Sequence, residues 1–433
     1  MKRVLIHSLI FSPDGVSTAY LYNDIALCLQ ERGYDVVVLT ATPHFNLVPE
    51  QLAKQPLHWK VRGLCKVSDF HGIKVYHVPQ KKFKNTLLRL MGFVYWHIVA
   101  MILGLCIRNV DLILSPSPPL TIGMINLMLG KLKGCKVVYN VQEIYPDILK
   151  LKPGLAQRVL SWMEHKVYNG SDAVTTIDQV FYDTIVQRFD DRSKLHIIPN
   201  FVDTELYHEV EFKYSNTDDA NHTDNKPTSK ETKDTKTYTL DSELFPNTDS
   251  VKLLYAGNIG HAQSWEPLIA LAEKTRDLNV EYIVIGEGAK RGYVTGEINN
   301  RNLTKVHLLP YQPRELMPAI LSYSDASFIF MAPEMDGDGF PSKVYTIMAC
   351  ERPLLVLSGE NTPIINFLKD KGCAKLITEQ DFDKKVDEMV EWLRKVTKEE
   401  LREMGKRGLK TIQENYTKEI VTTMYAELVD KLV

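Results

Sequence analysis

Val251-Lys252-Leu253-Leu254-Tyr255-Ala256-Gly257-Asn258-Ile259-Gly260-His261 reads as a buried strand running into a glycine loop. A helical pattern follows over 267–275, and a second apolar run of strand length lies at 281–285. Strand, glycine loop, helix and strand in this order build a doubly wound parallel sheet. The pattern continues outward. Gly286-Glu287-Gly288 leads into a helix bearing Lys290 and Arg291, apolar runs at 306–309, 326–331 and 354–357 add strands, and amphipathic helices follow from 384.

The first half of the chain opens in the same way. A short apolar strand at 4–7 precedes a polar loop, 11–18, that contains Pro13, Asp14 and Gly15. Leu21, Ile25 and Leu29 are spaced by four within a helix over 19–32, and Gly33 stops it. Strands are expected at 36–39, 111–114, 136–141, 171–177 and 195–200, with helices between them such as 120–132. The expected fold is therefore α/β, with two doubly wound Rossmann-like domains facing a deep cleft. The first domain is 1–200 and the second 251–410. Between them, 209–250 is rich in Asp, Lys, Thr, Asn and Ser, and reads as a polar mobile insertion that buries too little apolar surface to offset its ordering entropy. A C-terminal helix, 411–433, is expected to pack back on the first domain.

Composition narrows the function. The 433 residues carry 52 basic and 54 acidic side chains, a formal net charge of −2, which argues against a nucleic-acid binder. The six cysteines show no CxxC, and neither they nor the histidines show ligand spacing, so reduced thiols in a cytosolic protein and no metal are expected. Residues 1–10 read as a first strand and not as a secretion signal. The absence of GxGxxG disfavours a dinucleotide cofactor.

Three stretches carry candidate chemistry. Asp336-Gly337-Asp338-Gly339-Phe340-Pro341-Ser342-Lys343 lies beyond the strand at 326–331 and opens a short helix. That is the carboxyl end of a strand, where open α/β sheets bind ligands, so the loop and helix start are expected to hold an anion such as a nucleotide diphosphate. Gln142 to Asp147 is a polar turn after another strand. Its carboxylates Glu143 and Asp147 could orient a hydroxyl or take its proton, or Asp147 could simply cap the next segment. Finally, Lys81, Lys82, Lys84 and Arg89 lead into 91–107, an uncharged apolar stretch with Phe93, Tyr95 and Trp96. The region 84–108 suits either a helix lying in a membrane interface or a core helix. Seventeen residues is short for spanning a bilayer.

Taken together, Phe11 to Thr18, Ile197-Ile198-Pro199-Asn200 with Val202-Asp203, Leu254 to Gln263, Val284 to Gly288, and Pro341-Ser342-Lys343 through Ala349 resemble the retaining glycosyltransferases of family 4, with GT-B architecture. The wording Gly-Asn-Ile-Gly-His-Ala-Gln and Pro-Ser-Lys-Val-Tyr is most similar to the bacterial capsule and O-antigen branch, which includes L-fucosamine transferases. The resemblance implies transfer of an N-acetylamino or deoxy sugar, with retention, from a UDP-sugar to a polyprenyl-diphosphate-linked glycan. It implies no cofactor beyond that co-substrate, and a cytoplasmic enzyme peripheral on the inner face of the cytoplasmic membrane. It places Gly15, Gly257, Asn258, Gly260, Gln263, Tyr311, Asp338, Ser342, Lys343 and Thr346 on the donor side, and Asp14, Glu143 and Asp147 on the acceptor side. Lys343, neutralising the diphosphate, and Glu143 are the expected catalytic groups.

The departures from the family pattern are specific. Asp338 and Thr346 stand where many members have two glutamates, and a threonine cannot accept two ribose hydroxyls as a carboxylate does. Asn258 and Gln263 replace an arginine and a lysine, and Gln142-Glu143 replaces a His-Asp pair. Asp336-Gly337-Asp338 spells the DxD that binds a divalent metal with the nucleotide-sugar in the other large glycosyltransferase fold, but the triplet is common by chance and this chain reads as two Rossmann-like halves, so no required metal is expected. Two other functions share features with this sequence. One is a UDP-N-acetylhexosamine epimerase, which would make a new UDP-sugar without acceptor, and the other a non-catalytic membrane-bound assembly partner, which would bind no UDP through Lys343.

Overall fold

The structure is a computed structural model that describes residues 1–44, 47, 49–80, 85–215, 230–232, 235–335 and 340–433. It divides into two compact units, one of 1–201 with 418–433 and the other of 202–417.

In the first unit the chain runs β1 (Arg3–His7), α1 (Ser17–Glu31), β2 (Asp35–Ala41), α2 (Pro49–Lys54), β3 (His58–Val61), β4 (Cys65–Phe70), β5 (Ile73–Val78), α3 (Thr86–Cys106), β6 (Leu112–Pro116), α4 (Leu120–Lys133), β7 (Lys136–Val141), α5 (Leu155–Gly170), β8 (Ala173–Thr176), α6 (Gln179–Ile185) and β9 (Leu195–Ile197). The sheet order is β3-β4-β5-β2-β1-β6-β7-β8-β9. From β5 to β9 every pairing is parallel, and β3 and β4 extend the edge antiparallel. Alternation along the strands separates two buried faces. Val4, Ile6, Val38, Leu112 and Leu114 pack with Tyr22, Ile25 and Leu29 of α1 and with Val421, Tyr425 and Val429 near the C-terminus. The other face carries α3, α4 and α5, and α4 touches the other two.

The second unit runs β10 (Phe212–Tyr214), β11 (Lys230–Thr232), β12 (Thr235–Leu240), β13 (Val251–Ala256), α7 (Glu266–Lys274), β14 (Val280–Ile285), α8 (Arg291–Asn300), β15 (Val306–Leu309), α9 (Met317–Tyr323), β16 (Ala326–Phe330), α10 (Lys343–Ala349), β17 (Leu354–Leu357), α11 (Pro363–Leu368), β18 (Ala374–Ile377), α12 (Phe382–Lys395) and α13 (Lys398–Asn415). Its main sheet, β15-β14-β13-β16-β17-β18, is parallel throughout. The chain then returns to the first unit as α14 (Lys418–Leu432).

Two expectations need correction. The flanks of 209–250, expected to belong to a polar mobile insertion, are part of the second unit, because β10 pairs with β12 and Tyr238, Leu240 and Phe245 are buried in its core. Few large side chains stand in that segment, but they are the ones that reach the core. Most of its middle lies outside the described residues. The strands β3, β4 and β5 were also not expected. His71 and Gly72, both at positive φ, make the tight turn joining β4 and β5, and a glycine between two alternating runs is the signal that marks such a hairpin.

Candidate active site

In the second unit the strand order reverses between β13 and β16, the switch point at which a doubly wound sheet opens a crevice. The chain leaving β13 is the glycine loop, and the chain leaving β16 leads to Ser342 and Lys343. The Lys343 ammonium donates to the Ala256 carbonyl at 3.1 Å and lies 4.0 Å from the centroid of the Tyr255 ring. That ring is itself fixed, since the Tyr255 hydroxyl donates to the Asn258 carbonyl at 2.7 Å. A Cβ on Gly257 would stand 2.6 Å from the ammonium, at a φ of +150°. Glycine is therefore favoured there by its backbone conformation, and a side chain would displace the ammonium.

Lys343 keeps some solvent contact as a residue, yet its ammonium is enclosed. That enclosure pushes its pKa down to about 8. Among the described residues no carboxylate pairs with it. It is held by a carbonyl and a π face, which leaves its charge available to an anion.

A second loop supports the first. Gly257 and Ile259 donate backbone hydrogen bonds to Ile285 and Glu287 at 2.9 and 2.8 Å, and Lys290 returns one to Ile259 at 2.8 Å. A Cβ on Gly286 would come within 1.9 Å of the Gly257 carbonyl oxygen, and one on Gly288 within 2.3 Å of that of Ile259. The two loops thus stack backbone on backbone. Arg291 ties the second to β15 by donating to the carbonyls of Gly286 and Leu309 at 3.0 and 3.2 Å.

The other donor-side residues fall as follows. Gly260 is buried, and its carbonyl accepts from the Trp265 indole at 3.1 Å. Asn258 is exposed on the loop. Gln263 bridges to Met331 beyond β16. Ser342 is the N-cap residue of α10, and the Thr346 hydroxyl donates to the Lys343 carbonyl at 2.9 Å. With only seven residues, α10 contributes little dipole, so the anion-binding charge rests on Lys343. Tyr311 stands exposed after β15. Asp338, with the rest of the DxD triplet, lies outside the described residues.

In the first unit the reversal falls between β1 and β6, and the expected acceptor-side residues follow β1 and β7. Asp14 is buried and accepts from the His44 backbone at 2.8 Å, with Gly15 beside it. Gln142 exchanges side-chain amide bonds of 2.9 Å with Asn200 and donates to Asn140 at 2.7 Å, so it is a structural brace. Ser117, after β6, accepts from the backbone of Gln142 at 2.9 Å and of Glu143 at 3.3 Å. This holds Glu143 half-buried, and burial raises its pKa against the opposing hydrogen bond of Tyr145. A raised pKa makes it a stronger proton acceptor when ionised.

Asp147 is not free to follow Glu143. Its carboxylate accepts from Arg188 at 2.5 Å, and the same guanidinium reaches Glu164 of α5 at 2.5 Å. The Glu164 side chain is 5% exposed, and burial raises its pKa to about 7 although Arg188 opposes the shift. Arg188→Met should destabilise the first unit by about 3 kcal/mol at pH 8, where Glu164 is charged. The loss should shrink below pH 7, where Glu164 takes up a proton and no longer needs its partner. Urea unfolding at the two pH values checks this.

Among the described residues no cluster of three His, Cys, Asp or Glu groups could hold a metal ion. Sequence reasoning did not single out Tyr255, Ser117, Arg188 or the packing role of Gly286 and Gly288. An aromatic ending a strand beside a glycine loop is a weak signal for the first, and the others depend on contacts across the sheet.

The Glycosyltransferase Family 4 profile matches residues 19–206, and the Glycosyl transferases group 1 profile matches 239–411. The chain is 20% identical over 358 residues to the glycosyl transferase WcaI of Escherichia coli strain K12, named for colanic acid biosynthesis, covering 80% of this chain and 81% of that one. Among solved structures, sucrose-phosphate synthase from Thermosynechococcus elongatus superposes with a TM-score of 0.71 at 13% identity, over 100% of this chain and 99% of the other. Anabaena HepE, solved with UDP and glucose, gives 0.67 at 13% identity, over the whole of both chains.

Proposed function

Because the chain is a GT-B glycosyltransferase that joins a family 4 domain to a group 1 domain, we propose that it moves an N-acetylamino or deoxy sugar from a UDP donor to a polyprenyl-diphosphate-linked glycan. The setting would be surface polysaccharide synthesis at the inner face of the cytoplasmic membrane. The observation that carries this reading is the enclosed Lys343 ammonium at the switch point, beside Gly257, whose missing side chain leaves room for that ammonium. HepE, a structural neighbour, is solved with UDP, which supports the same donor class here. WcaI, a relative named for colanic acid biosynthesis, supports the surface-polysaccharide setting.

In the proposed reaction the sugar–phosphate bond breaks as the acceptor hydroxyl attacks the anomeric carbon from the same face. The departing diphosphate takes up negative charge, which Lys343 stabilises, and its oxygen accepts the hydroxyl proton. Glu143 orients the acceptor hydroxyl. No step requires a metal.

Donor binding should depend on pH through Lys343. Its pKa of about 8 in the free protein means that a bound diphosphate, which favours the charged form, raises that value. UDP affinity should be highest below pH 8 and fall as pH rises through it, with proton uptake on binding near and above pH 8. Calorimetry in two buffers of different ionisation enthalpy measures that uptake.

The reading itself is tested by mass spectrometry of products from a panel of UDP-sugars with a lipid-linked monosaccharide. A mass increase of one sugar supports it. A new UDP-sugar formed without acceptor would point to an epimerase, and no detectable UDP binding would overturn the donor assignment.

A further inference from the structure

Among the described residues most of the exposed large apolar side chains fall between 87 and 162. They are not scattered. Leu87, Met91, Val94, Ile98, Ile102 and Leu105 recur at three or four residues along α3, one stripe of a helix, with exposures from 42% to 65%. From Leu87 to Leu105 that stripe is about 27 Å long. The opposite side of α3, with Trp96, Val99, Ala100 and Gly104, is buried against the domain. α3 is long and apolar enough to cross a membrane by length and composition, but its buried side fastens it along the domain surface.

A second stripe lies on α5, where Leu155, Val159 and Trp162 are spaced by four and three. Leu155 is 80% exposed and Trp162 54%. The buried side of α5 carries Glu164, Val167 and Tyr168. α4, which touches both helices, exposes Met128 and Leu132. Three adjacent helices on one face of the sheet thus turn apolar side chains to solvent, more than a soluble domain ordinarily exposes in one place.

Charge indicates what covers them. Residues 71–170 hold thirteen Lys and Arg against four Asp and Glu, in a chain whose formal net charge is −2. Of the four acids, Asp147 and Glu164 are paired with Arg188, and Asp111 accepts from the Arg3 backbone. Exposed Arg89, Lys131, Lys150, Lys152, Arg158 and Lys166 lie on or beside the three helices. A symmetric contact with a second copy would set this basic face against itself.

We infer that α3, α4 and α5 together form one docking face for an anionic lipid bilayer, with α5 and the Lys150–Lys152 segment as a second anchor beside α3. The face holds the domain flat on the membrane, its apolar stripes in the headgroup region and its lysines and arginines at the phosphates. It deepens the proposed membrane-borne acceptor, but its evidence is independent of that reading.

The test is flotation of the full chain with vesicles of phosphatidylcholine containing 30% phosphatidylglycerol, compared with phosphatidylcholine alone. Val94→Asp with Ile98→Asp on α3, and Leu155→Asp with Val159→Asp on α5, should each weaken binding at least tenfold while UDP affinity stays unchanged. Brominated lipid should quench wild-type fluorescence by a component that Trp162→Phe lacks. If the α5 pair binds like wild type and Trp162 is not quenched, the three-helix face is overturned and a single interfacial helix remains. If no vesicle binds and the same substitutions dissolve a dimer, the occupant is a second copy. Should vesicles bind as expected while no lipid-linked acceptor is glycosylated, the acceptor assignment fails and the docking face stands.

Discussion

Replacing Lys343 with methionine should lower kcat/KM for the sugar donor by roughly 10² to 10³-fold, the scale expected when one charged stabiliser of a leaving group is removed. The fold should not suffer. Methionine fills similar volume, and the ammonium is an enclosed charge whose removal relieves desolvation. Thermal midpoints equal to or above wild type, together with the loss of rate, are the expected pair of results. Lys343→Arg should not rescue the rate. The slot between the Tyr255 ring, the Ala256 carbonyl and Gly257 is fitted to an ammonium, and a planar guanidinium is wider. Full activity in Lys343→Met would remove this residue from the leaving-group role.

The second large effect is structural. Gly286→Ala should destabilise the second unit by about 3 kcal/mol, since its methyl would press into the Gly257 carbonyl from a backbone at φ +143°. Because Gly257 is the residue displaced, UDP binding should weaken in whatever protein remains folded. Gly292→Ala is the control: it lies in α8 with open space around a Cβ, and should leave both stability and binding near wild type. Chemical denaturation and UDP titration of the two variants would separate packing from a generic effect of removing glycine. If both variants behave alike, the stacked loops do not hold the site.

What the sequence made legible followed from local pattern. The strand 251–256 with its glycine loop, and the strand 326–330, could be read because a buried parallel strand is a short unbroken apolar run and a glycine after it marks where backbone must turn. Lys343 stood out because it opens a helix after such a strand. Other parts could not be read locally. Tyr238, Leu240 and Phe245 sit among polar residues, and only the three-dimensional pairing of β10 with β12 shows that they are core. Glu164 looks like one more charge on an amphipathic helix until Arg188, 24 residues later, closes on it and on Asp147. The close approach of Gly286 to Gly257 joins neighbouring strands across 29 residues of chain, and neither loop alone predicts it.

The return of α14 to the first unit bears on how the protein is made. Val421, Tyr425, Ala426 and Val429 fill the core beside α1, and Asp430 pairs with Arg32 and accepts from the Tyr34 hydroxyl. On the ribosome, residues 202–417 leave the tunnel before that core can close, so the half synthesised first is the half completed last. Until then it exposes the apolar side of α1 to whatever chaperones are present. Truncation after Thr417 should therefore leave the second unit protected from limited proteolysis while the first is cut.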